Sequence, residues 1–330
     1  MARSNDLSRL WFMGIDLGGT KIGTGLVNTQ GEVRASDYRP TEANRGRDAV
    51  IERITQAARE VMRKANVSPG DVSGVGVGAP GPLDIAQGIL TEPPNLPGWR
   101  DVPLKQIIED AIGIPTYLEN DANAAGIAEY LYGAGRGTRH MIYVTVSTGI
   151  GGGLILNGQI YHGASGGAGE IGHLTVLPDG PLDGCGTRGC LDALASGTAI
   201  AREARELVEH GVPTLIAGLA RENPDGITAR VVVEAMHRGD PYAADIVSKA
   251  MRYLGIGMAS MVNLFNPELI VIGGGLSHLG DLLLDPVRRG IDRHAFQTHA
   301  RQVRVVLAQL GDQVGIIGAA GAAMMASRRA

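Results

Sequence analysis

Alternating apolar residues near the start of the chain predict a β-hairpin. Residues 11–28, WFMGIDLGGTKIGTGLVN, form two apolar runs separated by a glycine-rich turn, and a further strand is expected around residues 33–37. Apolar residues then recur at helical spacing over residues 48–65, which predicts an amphipathic helix. The valine-rich segment 72–80 predicts a buried strand.

The rest of the chain continues the alternation of strands and helices. A strand is expected at residues 114–121, followed by a helix that ends at Gly133. Further helices are predicted at residues 199–210, 228–237 and 241–264, a strand at 268–275, and a final strand and small-residue helix near the C-terminus. This order of elements indicates an α/β protein with parallel strands in part of the sheet.

The second half of the chain begins with a copy of the first hairpin. Residues 141–163 again predict a strand, a glycine-rich turn and a strand. A shift of 128 residues superposes Thr20, Ile22, Gly23, Gly25 and Leu26 on Thr148, Ile150, Gly151, Gly153 and Leu154. Such repetition indicates a duplicated architecture, with a domain boundary near residue 118.

The composition is that of a globular protein, and its charge does not favour binding to nucleic acid or to an anionic membrane. Hydrophobic residues make up 44% and charged residues 19% of the chain, and the net charge of −4 gives no general attraction to nucleic acid or an anionic membrane. The apolar runs are shorter than the roughly 20 residues that cross a bilayer. Two cysteines without an export signal favour a cytoplasmic protein, in which metal binding or free thiols are expected rather than a disulfide.

The turn of the first hairpin predicts a phosphate site. The motif GIDLGGTK is not a P-loop, because Gly19 is followed by Thr20 and only then by Lys21. A tight turn at Gly18 and Gly19 would present backbone N–H groups to an anion, with Thr20 and Lys21 as further donors. Asp16 is placed to hold Mg²⁺ through water. A plain glycine-rich hairpin is the alternative interpretation.

The second hairpin offers a matching turn. Its predicted phosphate contacts are Thr148, Gly149 and Gly151. Two such hairpins facing one cleft would grip the phosphates of a nucleotide from both sides. A third glycine-rich segment follows the apolar strand 268–275 and fits the close approach of an adenosine, although an ordinary turn is the alternative. Its residues are Gly273, Gly274 and Gly275.

Asn120 and Asp121 lie where a strand is expected to meet a helix. Both residue types cap helices well, which is the simplest interpretation. Ligands of α/β sheets bind at the carboxyl ends of strands, so Asp121 is also a candidate general base that deprotonates a hydroxyl attacking a γ-phosphate. Phosphoryl transfer asks the protein mainly for positioning and charge stabilisation.

A second polar group surrounds the two cysteines. Glu170 and His173 lie three residues apart in GEIGH, and Cys185 and Cys190 follow in a glycine-rich loop. Acceptors such as Glu170 suit the recognition of a polyol, whereas a lone histidine is usually structural. From the residues alone the cysteines remain a metal site, a redox pair or two thiols in a loop.

Five motifs in a fixed order resemble the ROK family of sugar kinases, repressors and relatives. They are GIDLGGTKI, GAPGPLD, ENDANAAG, GGAGEIGH and CGTRGCLD, and the resemblance runs from about residue 12 to the C-terminus. It implies the actin-like ATPase fold of hexokinases, with two α/β domains around a cleft. The small domain would comprise residues 1–118 and a C-terminal helix at about 308–330, and the large domain residues 119–307. ATP, Mg²⁺ and a homodimer or homotetramer are implied as well.

The resemblance also implies which residues bind the sugar. Asp121 corresponds to the catalytic base, and the sugar contacts correspond to Gly81, Asn95, Asn120, Glu170, His173 and Asp192. The family has a Glu where this chain has Asp192, whose side chain is one methylene shorter. Glucose is therefore the first expectation, and fructose, mannose, N-acetylmannosamine or a cyclitol are alternatives. About a dozen residues precede the first hairpin, so an enzyme is expected rather than a repressor with an N-terminal DNA-binding domain; a sugar-sensing regulator without such a domain is the remaining alternative.

A structural zinc site is implied by the same resemblance. The family binds zinc through a His and three Cys, and the first Cys-Gly-Cys unit is here Asp183-Gly184-Cys185. The ligand set would be His173, Asp183, Cys185 and Cys190, with one thiolate replaced by a carboxylate. Zinc accepts nitrogen, oxygen and sulfur ligands. His173 would then connect the metal to the sugar.

Overall fold

The computed structural model describes residues 10–328, which contain two five-stranded sheets, a two-stranded sheet and eleven α-helices. The strands are β1 (Trp11–Leu17), β2 (Lys21–Asn28), β3 (Val33–Pro40), β4 (Val72–Ala79), β5 (Leu83–Asp84), β6 (Ile89–Leu90), β7 (Thr116–Asn120), β8 (Met141–Val146), β9 (Ile150–Leu156), β10 (Gln159–Ile160), β11 (Leu269–Gly273) and β12 (Arg304–Leu307). The helices are α1 (Arg47–Ala65), α2 (Leu104–Ile112), α3 (Asp121–Tyr132), α4 (Leu191–Ala195), α5 (Gly197–Glu209), α6 (Leu215–Arg221), α7 (Ala229–His237), α8 (Pro241–Phe265), α9 (Asp281–His294), α10 (Gln297–Ala300) and α11 (Val314–Ser327).

The first sheet has the strand order β3-β2-β1-β4-β7. Strands β1, β2 and β3 pair antiparallel, whereas β4 and β7 join in parallel. Neighbouring residues of a strand point to opposite faces: Met13 belongs to an apolar cluster with α1 and α2, and Phe12 packs with residues of α11. Helices therefore cover both faces of this sheet, which explains why β1 and β4 are almost entirely buried.

Helix α11 lies in direct backbone contact with the first sheet and with α3. A Cβ atom on Gly14 of β1 would overlap the carbonyl oxygen of Ile316, and one on Gly76 of β4 would overlap that of Ala319. On the α3 side, a Cβ atom on Gly318 would overlap the carbonyl oxygen of Ala124. Glycines in β1 and β4 on one side, and Gly318 of α11 on the other, thus allow the backbones to approach closely. None of the helices within residues 10–328 has the length and apolar character to cross a bilayer.

The second sheet repeats the plan of the first. Its order is β10-β9-β8-β11-β12, with β9 and β10 antiparallel and with β8, β11 and β12 parallel. In each sheet two later strands pair in parallel beside the first strand of the hairpin. These are β4 and β7 beside β1 in the first sheet, and β11 and β12 beside β8 in the second. The duplicated architecture predicted from the repeat is confirmed by these matching strand orders.

Five helices, α2, α4, α6, α9 and α10, were not predicted from the sequence, and for α2 and α9 a specific physical reason is visible. Helix α2 buries Leu104, Ile108 and Ile112, but it follows Pro103 without a side-chain cap, so no start signal marks it. Helix α9 contains Pro286 inside its span, and an internal proline normally indicates the end of a helix.

Contacts between residues divide the chain into two compact units. The first comprises the described residues up to Arg139, the segment Gly153–Gly169 and the residues from Ala308 onward, whereas the second comprises His140–Gly152 and Glu170–Leu307. This division differs from a boundary near residue 118, because β7 pairs with β4 and α3 packs against α11. The chain passes from one unit to the other four times.

Candidate active site

The turn between β1 and β2 is held by an internal set of hydrogen bonds. The Gly18 N–H donates to the Lys21 carbonyl oxygen at 3.0 Å, and the Thr41 hydroxyl donates to the Gly18 carbonyl oxygen at 2.6 Å. The Thr41 N–H donates to the carbonyl oxygen of Thr20 at 2.8 Å. The Gly18 N–H is therefore used inside the turn, and it does not add to the predicted anion donors.

Asp16 lies on β1 directly before this turn. Burial raises the pKa of its carboxyl above the ordinary value, although the charge of Lys21 lowers it. A Cβ atom on Gly315, in the first turn of α11, would overlap the Asp16 carboxylate. The N-terminal turn of a helix favours negative charge, so the ionised carboxylate is stabilised on the side that faces α11.

The raised pKa of Asp16 predicts a pH-dependent gain in stability when its charge is removed. A raised pKa means that ionising Asp16 costs more in the folded than in the unfolded protein, and this cost is present above the folded pKa and absent below the unfolded one. Asp16→Asn should therefore raise Tm at pH 7, and its advantage over the wild type should vanish as pH falls below about 4. Thermal unfolding from pH 3.5 to pH 8 tests this, with Asp110→Asn on α2 as control. An advantage that grows on acidification would contradict it.

In the same unit, the structure brings three predicted sugar-site residues and Gly19 of the predicted phosphate turn together in two pairs. Asn120 ends β7 and caps α3, since its Oδ1 accepts hydrogen bonds from the N–H groups of Ala122 and Asn123 at 2.9 and 3.2 Å. A Cβ atom on Gly81 would lie 3.7 Å from Asn120 Nδ2.

The other pair joins the first hairpin to a loop. A Cβ atom on Gly19 would lie only 2.7 Å from the Cβ atom of Asn95, so the turn needs glycine to let Asn95 approach. Asp121, the first residue of α3, is exposed although the eight residues after it are buried. Its carboxylate oxygen Oδ1 accepts the Ala122 N–H at 2.7 Å. An exposed carboxylate at the end of a parallel strand can reach a bound ligand.

In the second unit, the turn between β8 and β9 is anchored by two neighbouring helices. The N–H of Gly197, at the start of α5, donates to the carbonyl oxygen of Ser147 at 2.7 Å, and the Thr198 hydroxyl donates to that of Thr148 at 2.9 Å. Asp192 of α4 accepts the Ile150 N–H at 2.6 Å.

Asp192 is a predicted sugar contact, and the structure gives one of its oxygens to the hairpin. Burial raises the pKa of the Asp192 carboxyl above its ordinary value, while the hydrogen bond from Ile150 lowers it. A Cβ atom on Gly149 would lie 3.1 Å from Asp192 Oδ1. The side chain therefore fixes the conformation of the glycine-rich turn beside it.

A cavity of about 730 Å³ opens beside this turn in the second unit. Gly275 lines it, and Gly274 has a φ of 84° with its Cβ position 2.6 Å from the Val146 carbonyl oxygen, so only glycine fits there. Polar side chains that sequence reasoning missed also line the cavity, and they are Arg205, Asn223, Asp225, Arg230, His237 and His278. They come from separate helices and loops, so no motif connects them in the sequence.

His173, Asp183, Cys185 and Cys190 come together in the second unit. The donor atoms of His173, Asp183 and Cys190 lie within 4.8 Å of one another, and His173 Nδ1 is 3.6 Å from Asp183 Oδ2 and 3.3 Å from Cys185 Sγ. Burial raises the pKa of the Cys190 thiol above its ordinary value. For Asp183, burial acts to raise the pKa, but hydrogen bonds from Cys185 and Gly184 outweigh it and lower the pKa.

The two ring nitrogens of His173 face different groups. Nδ1 points to the cluster with Cys185 and Asp183, whereas Nε2 lies 3.9 Å from Oε2 of Glu170. Nitrogen, oxygen and sulfur donors of His173, Asp183 and Cys190 thus lie close enough to share one metal ion, and zinc accepts all three kinds of donor. Cys185 lies beside this group, with its Sγ 3.3 Å from His173 Nδ1. The donor set fits the metal that the resemblance implies.

Family comparison connects these features to known proteins. The model of the ROK family matches residues 12–326. The chain belongs to the ROK family. It is 38% identical to a glucokinase from Halalkalibacterium halodurans over 313 residues, which is 94% of each chain.

Solved structures of ROK proteins are similar along nearly the whole chain. A ROK hexokinase from Thermus thermophilus matches with a TM-score of 0.82 and 37% identity, covering 97% of this chain and 100% of that one. A ROK family glucokinase from Streptomyces griseus, solved in complex with glucose and AMPPNP, matches with a TM-score of 0.81 and 36% identity, covering 96% and 99%. The predicted actin-like ATPase fold is confirmed, as is the resemblance to glucokinase-like ROK proteins.

Proposed function

We propose that this ROK protein transfers the γ-phosphate of ATP to a hydroxyl group of glucose. The observation that carries the proposal is the similarity to glucokinases over nearly the full length of both chains. The exposed carboxylate of Asp121 at the end of β7 supports it, because a sugar kinase needs a base for the attacking hydroxyl.

Asp121 is the proposed general base. As the sugar oxygen forms its bond to the γ-phosphorus, the bond from that phosphorus to the bridging oxygen of ADP breaks, and the hydroxyl proton passes to the Asp121 carboxylate. Asn120 would hold the same hydroxyl region through the Nδ2 group that its capping role does not use. Asn95 and Gly81 would complete the sugar contacts of the first unit.

Nucleotide contacts are proposed in each unit separately: at the turn between β1 and β2 in the first, and at the turn between β8 and β9 with its neighbouring cavity in the second. Thr148 and Gly275 line this cavity, and α5 begins beside it at Gly197, where a helix N-terminus favours phosphate. A volume of about 730 Å³ suits a ligand of nucleotide size. Mg²⁺ would neutralise phosphate charge when bound, and the Asp16 carboxylate is the proposed group that holds its water ligands.

Glu170, His173 and Asp192 are the proposed sugar contacts of the second unit. Asp192 already accepts the Ile150 N–H with Oδ1, so only its second oxygen remains for a sugar hydroxyl. The sugar hydroxyl that a longer Glu side chain would reach is therefore the one whose recognition by Asp192 is most in question. Fructose, mannose, N-acetylmannosamine and cyclitols are the acceptors to compare with glucose.

A coupled assay of ADP release over these acceptors tests the proposed function. Glucose should give the highest kcat/KM, and the product should carry the phosphate on one sugar hydroxyl, which NMR identifies. A higher kcat/KM for another acceptor would move the assignment to that sugar. Sugar binding without ADP release from any acceptor would indicate a sugar-sensing regulator and overturn the kinase assignment.

We also propose that the cluster of His173, Asp183, Cys185 and Cys190 holds a structural zinc ion. The converging donors and the Nε2–Glu170 distance support a role in orienting His173 toward the sugar. Because Cys185 and Cys190 are both free thiols, a reducing cytoplasm suits the site.

A homodimer or homotetramer is proposed from the resemblance, and light scattering would measure the oligomeric state.

Changes at Asp183 should alter zinc affinity in a defined direction. The native protein should bind about one zinc ion per chain, and Asp183→Cys should bind it more tightly because a thiolate is the softer ligand. Asp179→Cys is the matched control, since it adds a thiol to the same loop outside the cluster. Metal analysis followed by competition with a chelator gives the affinities. Absence of zinc from protein purified without chelator would contradict the proposal.

A further inference from the structure

Glu119 is a buried carboxylate beside the proposed base, and the proposed chemistry does not use it. It lies on β7 two residues before Asp121, and it is only 4% exposed. Burying a carboxylate costs free energy unless hydrogen bonds replace the lost water. Hydrogen-bond donors are therefore expected around Glu119, and the carboxylate would hold them in place.

Three donors share the two oxygens of Glu119. Oε1 accepts the Asn120 N–H at 2.9 Å and the Asn123 Nδ2 group at 2.9 Å. Oε2 lies 2.8 Å from His162 Nε2. With Glu119 ionised, this nitrogen of His162 is the donor, because a carboxylate only accepts hydrogen bonds.

Asn123 is held in one orientation by this carboxylate. Its Oδ1 atom is buried without a hydrogen-bond partner in the described part of the chain, whereas Nδ2 donates to Glu119. Its backbone N–H also donates to Asn120 Oδ1. Glu119 thus contacts the last strand residue and the first turn of α3, on both sides of Asp121.

His162 joins this junction to a different part of the first unit. It follows β10, and its carbonyl oxygen accepts the Ala168 N–H at 3.0 Å, which anchors the loop that ends at Gly169. The imidazole is 27% exposed and lines a cavity of about 700 Å³. One edge of the ring therefore contacts Glu119 while another part is accessible from the cavity.

We propose that Glu119 and His162 position Asp121 for proton abstraction. They are positioning residues, since neither is assigned a contact with sugar or nucleotide. The inference rests on the proposed function, because it assumes that Asp121 is the base. We call the hydrogen bonds that join Asn120, Asn123 and His162 to Glu119 the clamp. A base displaced by about 1 Å from its reacting atom can lose about 10²-fold in rate. Loss of the clamp should therefore lower kcat more than it weakens substrate binding.

Variants of His162 test the clamp in the full-length protein. His162→Ala removes the donor to Glu119, and kcat should fall by about 10- to 100-fold while KM for ATP stays within about twofold. His162→Gln keeps an N–H donor and should restore most of kcat. Added imidazole should also raise the kcat of His162→Ala, because the ring site opens to a cavity. His210→Ala, at the end of α5, is the matched control.

Amide hydrogen exchange gives a readout that does not depend on turnover. In His162→Ala, exchange should accelerate at residues 120–125 and remain at wild-type rates in α1 and α8. Wild-type kcat in His162→Ala, or faster exchange throughout the first unit, would overturn the positioning role. If the wild type itself phosphorylates no sugar, the proposed function fails, and the exchange measurement still decides whether the clamp exists.

Discussion

Asp121→Ala is expected to lower kcat for glucose phosphorylation by about 10³-fold, within the range that general bases contribute. The variant loses the group that takes the hydroxyl proton, but the cap of α3 is retained, because Asn120 supplies it. The side chain of Asp121 is exposed, so its removal opens no cavity in the core. Sugar and nucleotide binding should therefore remain close to those of the wild type.

Two measurements separate this result from a loss of structure. Isothermal titration with glucose and with an unreactive ATP analogue should give dissociation constants within about threefold of the wild-type values, which corresponds to less than about 1 kcal/mol. Asp110→Asn on α2 controls for the loss of a surface carboxylate. Near wild-type turnover by Asp121→Ala would show that another group is the base.

Gly318→Ala is expected to destabilise the folded protein strongly, although it adds a single methyl group. The new Cβ atom would overlap the carbonyl oxygen of Ala124 in α3, and the other close atoms also belong to the α3 backbone, so no flexible side chain can move aside to make room. Overpacking of this kind costs about 3 kcal/mol, which lowers Tm by roughly 4 °C in a protein of 330 residues. Thermal unfolding followed by circular dichroism measures it.

Gly218→Ala is the matched control, because Gly218 also lies inside a helix. No atom lies within 4 Å of its Cβ position, so alanine there should stabilise α6 by up to about 1 kcal/mol through its higher helix propensity. The same substitution should thus have opposite signs at the two positions. Equal effects would show that α11 and α3 are less closely packed than the structure has them.

The two hairpins could be predicted because their signals are local. Alternating apolar residues and a glycine-rich turn lie within about twenty residues each, and the repeat relates one hairpin to the other. The junction of β7 with α3 was equally visible, since Asn120 is both the last strand residue and the helix cap. In these cases the residues that form the structure are neighbours in the sequence.

Features that depend on distant residues left no such signal. Glu119 and His162 are 43 residues apart, and the local sequence around neither residue predicts their contact. The cavity of the second unit likewise collects Arg205, Asn223 and His278 from three separate regions. Only a folded chain shows that such side chains share one place.

The position of α11 has a consequence for synthesis on the ribosome. Its residues pack on β1, β4 and α3, yet they are translated after every other described element. Domains tend to fold as they emerge, and the elements of the second unit are all translated by Leu307. Until α11 has been translated, the apolar residues Phe12 and Val27 lack their packing partners Ile316 and Ala320. We therefore expect the unit whose translation begins first to be the one whose folding is completed last.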